Sequence, residues 1–200
     1  MDFEKVVTAR RMTRAFTAEP VESAVLNRCV DLASRSPSAG KTQGWHLVML
    51  KGENTSRFWD AAFPPDKRTG FRWPQLFDAP VVMLACADPE AYVRRYSEND
   101  KSSTGLGESV DNWPTPYWTV DASFAVMTLL LAFENEGLGA LFFAVFHGED
   151  AVRTELGIPD DIQIIGAIAV GYPDDETDSP GVSATRSRHT VDQIVHENNW

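Results

Sequence analysis

Five arginines cluster near the two ends of a 200-residue chain: Arg10, Arg11 and Arg14 in one strip, Arg186 and Arg188 in another. A guanidinium stays charged at any physiological pH and offers parallel N–H donors to a pair of phosphate oxygens. Paired arginines therefore suit a phosphomonoester. Arg186 and Arg188 alternate along a segment that reads as extended, so both would point to one side of it. A second stretch, Ser36-Pro37-Ser38-Ala39-Gly40-Lys41-Thr42-Gln43-Gly44-Trp45, is rich in small residues. Its small side chains and exposed N–H groups would let a planar ring system approach the backbone closely. By residue type alone, a solvated face with a basic tail and an ordinary turn account for the same residues.

These stretches need elements to position them. Residues 2–11 predict a short helix ending in Arg10 and Arg11, where cations also suit the helix dipole. Thr13 to Phe16 reads as extended. From Val21 to Arg35 apolar residues recur at helical spacing, and Ser36-Pro37 stops that helix. Trp45–Leu50 and Ala79–Ala87 read as buried strands, and Ser56–Phe63 looks helical. Residues 64–77 read as an irregular surface loop. The segment 90–118 mixes Tyr92, Tyr96, Trp113, Tyr117 and Trp118 with glycine, serine and proline, which suggests a long functional cover loop. Residues 119–136 form the strongest helix, apolar nearly all round, with Thr119 or Asp121 as cap and Gly137 at its end. A strand over Gly139–Phe146, a helix over Glu149–Leu156 and a strand over Ile162–Val170 follow. An acidic turn at 174–178 leads into a polar tail, 180–200, with a helix-like Val191–His196. The order implies one α+β domain over 1–200, built on a small mixed central sheet flanked by helices.

Composition removes several function classes. Eighteen basic against 29 acidic residues give a net charge of −11, which argues against a nucleic-acid partner. Cys29 and Cys86 lie in apolar runs and read as buried free thiols, and no metal-ligand spacing is present. No G-x-G-x-x-G follows a strand, and neither a Walker loop nor G-x-S-x-G occurs. The four histidines share no ligand spacing. The start of the chain lacks a signal-peptide pattern, and no apolar run approaches the roughly 20 residues of a membrane span. A soluble, cytoplasmic protein is expected.

The motifs, taken in order, resemble the FMN-dependent nitroreductase family over nearly the whole chain. The family's R-R-S-x-R-x-F corresponds to Arg10-Arg11-Met12-Thr13-Arg14-Ala15-Phe16, and its A-P-S-x-x-N-x-Q-P-W to Ser36 through Trp45. Its central D-A-P-V matches Asp78-Ala79-Pro80-Val81. Its long helix ending in G-L-G matches Asp121 to Gly139, and its closing basic pair matches Arg186-Ser187-Arg188 before Val195-His196. The resemblance implies a homodimer with two FMN sites shared between subunits. It assigns the phosphate to Arg10, Arg14 and Arg188, with Arg11 and Arg186 nearby. It brings Pro37, Ser38 and Ala39 of the other subunit against the flavin ring, and the backbone at Ala144 and Val145 to its N5 edge. Met12, Lys41 and Gln43 complete the cofactor-binding set. The sequence departs from the family serine at Met12, from its asparagine at Lys41 and from its glycine-rich segment at Phe143-Ala144-Val145.

The implied activity is ping-pong hydride transfer from NADH or NADPH to the flavin and on to a small electron acceptor, such as a nitroaromatic or quinone. The cofactor supplies that chemistry, so no acid–base side chain is nominated. Phe71, Trp73 and the aromatic loop would wall the acceptor site. The changes at Lys41 and Phe143 also permit a dehalogenase, flavin-destructase or azole-dehydrogenase variant of the fold. A flavin-storing protein without nicotinamide turnover is the alternative from another class.

Overall fold

The computed structural model describes residues 2–200. Four strands form its sheet: β1 (Trp45–Lys51), β2 (Val81–Ala87), β3 (Gly139–Phe143) and β4 (Gln163–Gly171), in the order β1-β2-β4-β3. Every pairing among them is antiparallel. The parallel component is an isolated bridge from Met12 to Ala140, which lays the arginine strip along the outer edge of β3.

Alternation along β2 divides the core into two halves. Val81, Met83 and Ala85 face one side of the sheet, while Val82, Leu84 and Cys86 face the other, as the period of two requires. On the first side lie α2 (Ser23–Ala33) and α6 (Tyr117–Asn135). The first buries Leu26, Cys29 and Ala33, and the second Ala125, Val126, Leu129, Leu130 and Phe133, all at helical spacing. On the second side lie α3 (Thr55–Ala62) and α7 (Glu149–Leu156), which contribute Phe58, Trp59 and Val152. Each large buried side chain contributes about 1.5–3 kcal/mol. Such burial, more than helix propensity, fixes the layers. Cys29 and Cys86 are both free and buried, and burial pushes each thiol up to about 11, which keeps it protonated and inert.

Several sequence expectations shift. The segment 90–118 is not one loop: it opens with α5 (Pro89–Tyr96), capped by the Asp88 carboxylate on the Ala91 N–H, and carries two short 3₁₀ turns. Its aromatics pack on one another, Trp113 being buried between Tyr92, Tyr96, Tyr117 and Trp118, so they form a small core of their own. Residues 64–77, expected as irregular loop, hold α4 (Pro65–Arg68) and begin a 3₁₀ turn over Pro74–Asp78. Helix α6 starts at Tyr117 after Pro116, so neither Thr119 nor Asp121 caps it. Strand β3 stops at Phe143, leaving Ala144 to Phe146 outside the sheet. The remaining helices are α1 (Phe3–Ala9) and α8 (Val191–Ile194). Among the described residues no helix is long and apolar enough to cross a membrane.

Candidate functional site

The strip after α1 can lie against β3 because Gly139 has no side chain. A Cβ there would stand 2.6 Å from the Thr13 hydroxyl, and Thr13 itself is buried. The Thr13 N–H donates to the Ala140 carbonyl at 3.0 Å, which fixes the register of the arginines around it. A second tie comes from the acidic turn. The Asp178 carboxylate accepts the backbone N–H groups of Arg14 and Ala15 at 2.8 and 3.1 Å. Arg11 is drawn to the same turn, ion-paired with Asp175 and lying 3.8 Å from Asp178.

A cleft of about 450 Å³ results, walled by Arg10, Arg11, Met12, Arg14 and Arg188 together with Asp175, Asp178, Pro180, Gly181, Ser183 and Ala184. Four guanidinium groups face two carboxylates, so two positive charges remain unmatched. That residue of charge matches a phosphomonoester, which carries about −1.5 to −2 near neutral pH. Arg10, which lines the cleft, carries an orphaned donor: its Nη1 is shut from solvent without a hydrogen-bond partner. A buried polar group left unpaired costs free energy, which an anion drawn to Arg10 would offset. Of the two tail arginines, Arg188 lines the cleft; Arg186 is exposed and lies outside it.

Arg14 also lines a second cavity, of about 370 Å³. This one is aromatic. Trp59 and Phe143 stack at 5.8 Å, Phe77 meets Trp59 edge-on, and Phe63 and Phe71 pack beside Phe77. Ala144 and Val145 contribute to the same wall. Trp73 closes the junction: its ring lies over the Arg14 guanidinium at 5.1 Å and its indole N–H donates to the Ser179 carbonyl at 3.1 Å. The fold thus joins a cationic compartment to an aromatic one through Arg14. Asp178 was missed in the sequence, and Trp73, expected as a wall of the acceptor site, also holds that junction. The acidic turn and the lone tryptophan carry no local signal of a partner more than a hundred residues away.

The loop at Pro37–Gln43 stands elsewhere. It precedes β1, while the strip borders β3, the opposite edge of the sheet. It also leads into Trp45, which pairs with Ala87, whereas Met12 lies at the end where Ala140 pairs with Val170 and Val170 with Val81. Four strand spacings one way and a strand length the other put loop and strip more than about 20 Å apart. Pro37, Ser38, Ala39, Lys41 and Gln43 therefore do not meet the cleft within one copy. Nor are four of the loop's N–H groups free. Ala39 donates to Asp121, Lys41 to the Ser38 carbonyl, Thr42 to the Ala39 carbonyl and Gln43 to Ser38 Oγ.

Lys41 has an unexpected backbone. Its φ is +56°, after Gly40 at +60° and before Gln43 at +54°. A left-handed conformation costs an ordinary L-residue roughly 1–2 kcal/mol, and asparagine tolerates it best. The family's asparagine thus has a backbone reason that the sequence pattern hides. Lys41→Asn is expected to stabilise the protein by up to about 1 kcal/mol, read from the urea midpoint. An unchanged midpoint would show that the backbone does not discriminate here.

The profile of the Nitroreductase family matches residues 7–172, which includes the strip, the loop, all four strands and the aromatic cavity. The chain belongs to the nitroreductase family. It is therefore an oxidoreductase of that family's α+β fold. A 4-nitrobenzoate reductase of a Nocardioides species is 28% identical over 222 residues, covering 96% of this chain and 88% of its own. A nitroreductase family protein of Streptococcus pneumoniae superposes with a TM-score of 0.76 at 21% identity, covering 98% and 100% of the two chains. A structure from Exiguobacterium sibiricum, solved in complex with FMN, gives a TM-score of 0.74 at 18% identity over 98% and 97%. At these identities the two structures speak for the fold.

Proposed function

We propose that this nitroreductase-family chain is an FMN-dependent NAD(P)H oxidoreductase that reduces an electron-poor aromatic acceptor. The observation that carries the reading is Arg10, which has a buried, partnerless Nη1 and lines a cleft with two unmatched positive charges, joined through Arg14 to an aromatic cavity. A flavin mononucleotide has the matching halves, a phosphate dianion and a flat ring system.

In this reading Arg10, Arg14 and Arg188 hold the phosphate, with Arg11 tempered by its acidic partners and Met12 beside the connecting chain. Arg14 stands where cleft and cavity meet, so it also faces the polar edge of the ring. Ala144 and Val145, beyond the end of β3, present backbone and small side chains to the ring. When bound, FMN supplies the two-electron chemistry, accepting hydride from a nicotinamide and passing it to the acceptor. The rings of Phe71 and Trp73 exclude water from that side and favour a flat, apolar acceptor. The activity in the name of the Nocardioides relative, reduction of a nitroaromatic carboxylate, belongs to this substrate class.

The reading also requires a homodimer. Loop and cleft lie at opposite corners of one copy, so a pocket using Pro37, Ser38, Ala39, Lys41 and Gln43 takes them from a second copy. A stripe of half-exposed apolar residues on α6, Tyr117, Phe124 and Met127, with Leu32 beside it on α2, gives that copy a surface to cover.

The direct test is the purified protein's visible spectrum. Flavin absorbance, bleached anaerobically by NADH or NADPH and restored by a nitroaromatic or quinone, is the expected result. A colourless protein that takes up no FMN overturns the cofactor. Bound flavin that no nicotinamide bleaches leaves a flavin-storing protein and overturns the reductase.

A further inference from the structure

Two buried side chains, Asp121 and Tyr92, and the half-buried Arg95 gather beneath the Ser38–Gln43 loop. Asp121 is an acidic residue inside α6, 3% exposed on a helix whose other buried residues are apolar. Its Oδ2 accepts the Tyr92 hydroxyl at 2.6 Å and the Ala39 backbone N–H at 2.8 Å. The Tyr92 hydroxyl in turn interacts with the Ser38 side chain and with the Gly44 backbone. Arg95, next along α5, donates from Nε to the Gly40 carbonyl at 2.9 Å, and its fork is held by both oxygens of Asp100 at 2.7 and 2.8 Å.

The loop's own residues are fitted to this support. A Cβ on Gly40 would stand 2.8 Å from the Tyr96 ring, and one on Gly44 would stand 2.8 Å from the Tyr92 ring and 3.0 Å from Ala91. Gly44 takes the place of the proline in the family pattern, so the loop has lost bulk where α5 presses on it. Burying a carboxylate is costly unless donors satisfy it, and its donors here are the loop and the tyrosine that braces the loop. The left-handed turns at Gly40, Lys41 and Gln43 are thereby over-determined from below, which is how strained backbone persists.

We propose that Asp121 and Tyr92 are positioning residues of the flavin site, acting on the cofactor of the partner copy through the Ser38–Gln43 loop that they clamp. The inference rests on the FMN dimer proposed above. It assigns the segment 89–118 a role distinct from covering substrate: it is the anvil on which one wall of the neighbouring pocket is shaped.

The test uses full-length Tyr92→Phe and Asp121→Asn, each measured for thermal unfolding, FMN affinity and the visible circular dichroism of the bound flavin. Tyr92→Phe keeps the buried ring, so it preserves the fold even if Asp121→Asn does not. Both are expected to weaken FMN roughly tenfold, the effect of losing one hydrogen bond to a charged group, and to alter the flavin dichroism. Wild-type affinity and dichroism in Tyr92→Phe and in any folded Asp121→Asn would overturn the clamp.

A mixed dimer tests the direction. In an Arg10→Ala chain co-purified with a Tyr92→Phe chain, one site collects both defects and the other collects none. Recovery of half the sites at wild-type affinity is expected. No recovery would overturn action on the partner's site. Failure of wild-type protein to take up FMN would instead remove the underlying reading, so the two failures are separable.

Discussion

Arg10→Ala is expected to raise the dissociation constant for FMN by about 10- to 100-fold while leaving the flavin-free protein as stable as before, or more so. The opposed signs follow from one atom. In the structure Nη1 of Arg10 is buried without a partner, so the flavin-free fold bears the desolvation of that group with no return. Alanine removes the burden. With phosphate in the cleft the same group gains a charge-assisted hydrogen bond, and such bonds contribute about 1.5–3 kcal/mol. Titration by flavin fluorescence reads the affinity, and thermal unfolding of stripped protein reads the stability. An arginine that merely decorated the surface would move neither. A structural arginine would lower both. Arg186→Ala serves as the internal control, because Arg186 stands outside the cleft and its loss should leave affinity near wild type.

Much of the fold was legible because its signals are local. The β2 run Val81–Ala87 is bounded by Pro80 and Asp88-Pro89, and α6 is apolar over nearly five turns before Gly137. Each could be read within one window of sequence. The cation strip was legible as well, since arginine type and spacing are visible without a fold. What stayed hidden depends on pairs far apart in the chain. Asp121 reads as a helix cap, since acidic residues suit the first turn, and only its contact with Tyr92, 29 residues away, shows it to be a buried acceptor. The pairing of Arg11 with Asp175 spans 164 residues. Arg186 and Arg188 alternate in sequence, yet the turn at Val182–Thr185 leaves one of them away from the cleft. The loop's glycines read as turn punctuation, whereas Gly40 and Gly44 are there because two tyrosine rings occupy the space of a side chain.

Gly139→Ala is expected to destabilise the protein by about 1–3 kcal/mol, the range for forcing atoms into a packed site, and to lower FMN affinity with it. The new Cβ would lie 2.6 Å from Thr13 Oγ1 and 2.8 Å from both Thr13 Cβ and Cγ2, all inside van der Waals contact. Thr13 is 1% exposed and cannot swing away, so the strip must lift from β3 and strain the Thr13–Ala140 hydrogen bond. Arg10, Arg11, Met12 and Arg14 move with it. That links a methyl group at a strand edge to the geometry of the phosphate cleft. Two companions identify the cause. Gly137→Ala, two residues earlier, has open space around its Cβ but a φ of +77°, so it costs about 1 kcal/mol through the backbone alone and spares the flavin. Thr13→Gly in the Gly139→Ala background removes the three atoms nearest to the new methyl group. A double-mutant cycle between positions 13 and 139 should therefore show a coupling of about 0.5–3 kcal/mol, measured by urea unfolding, with FMN affinity recovering in parallel. Additive effects would mean that the strip does not rest on Gly139, and the cleft would then need another scaffold.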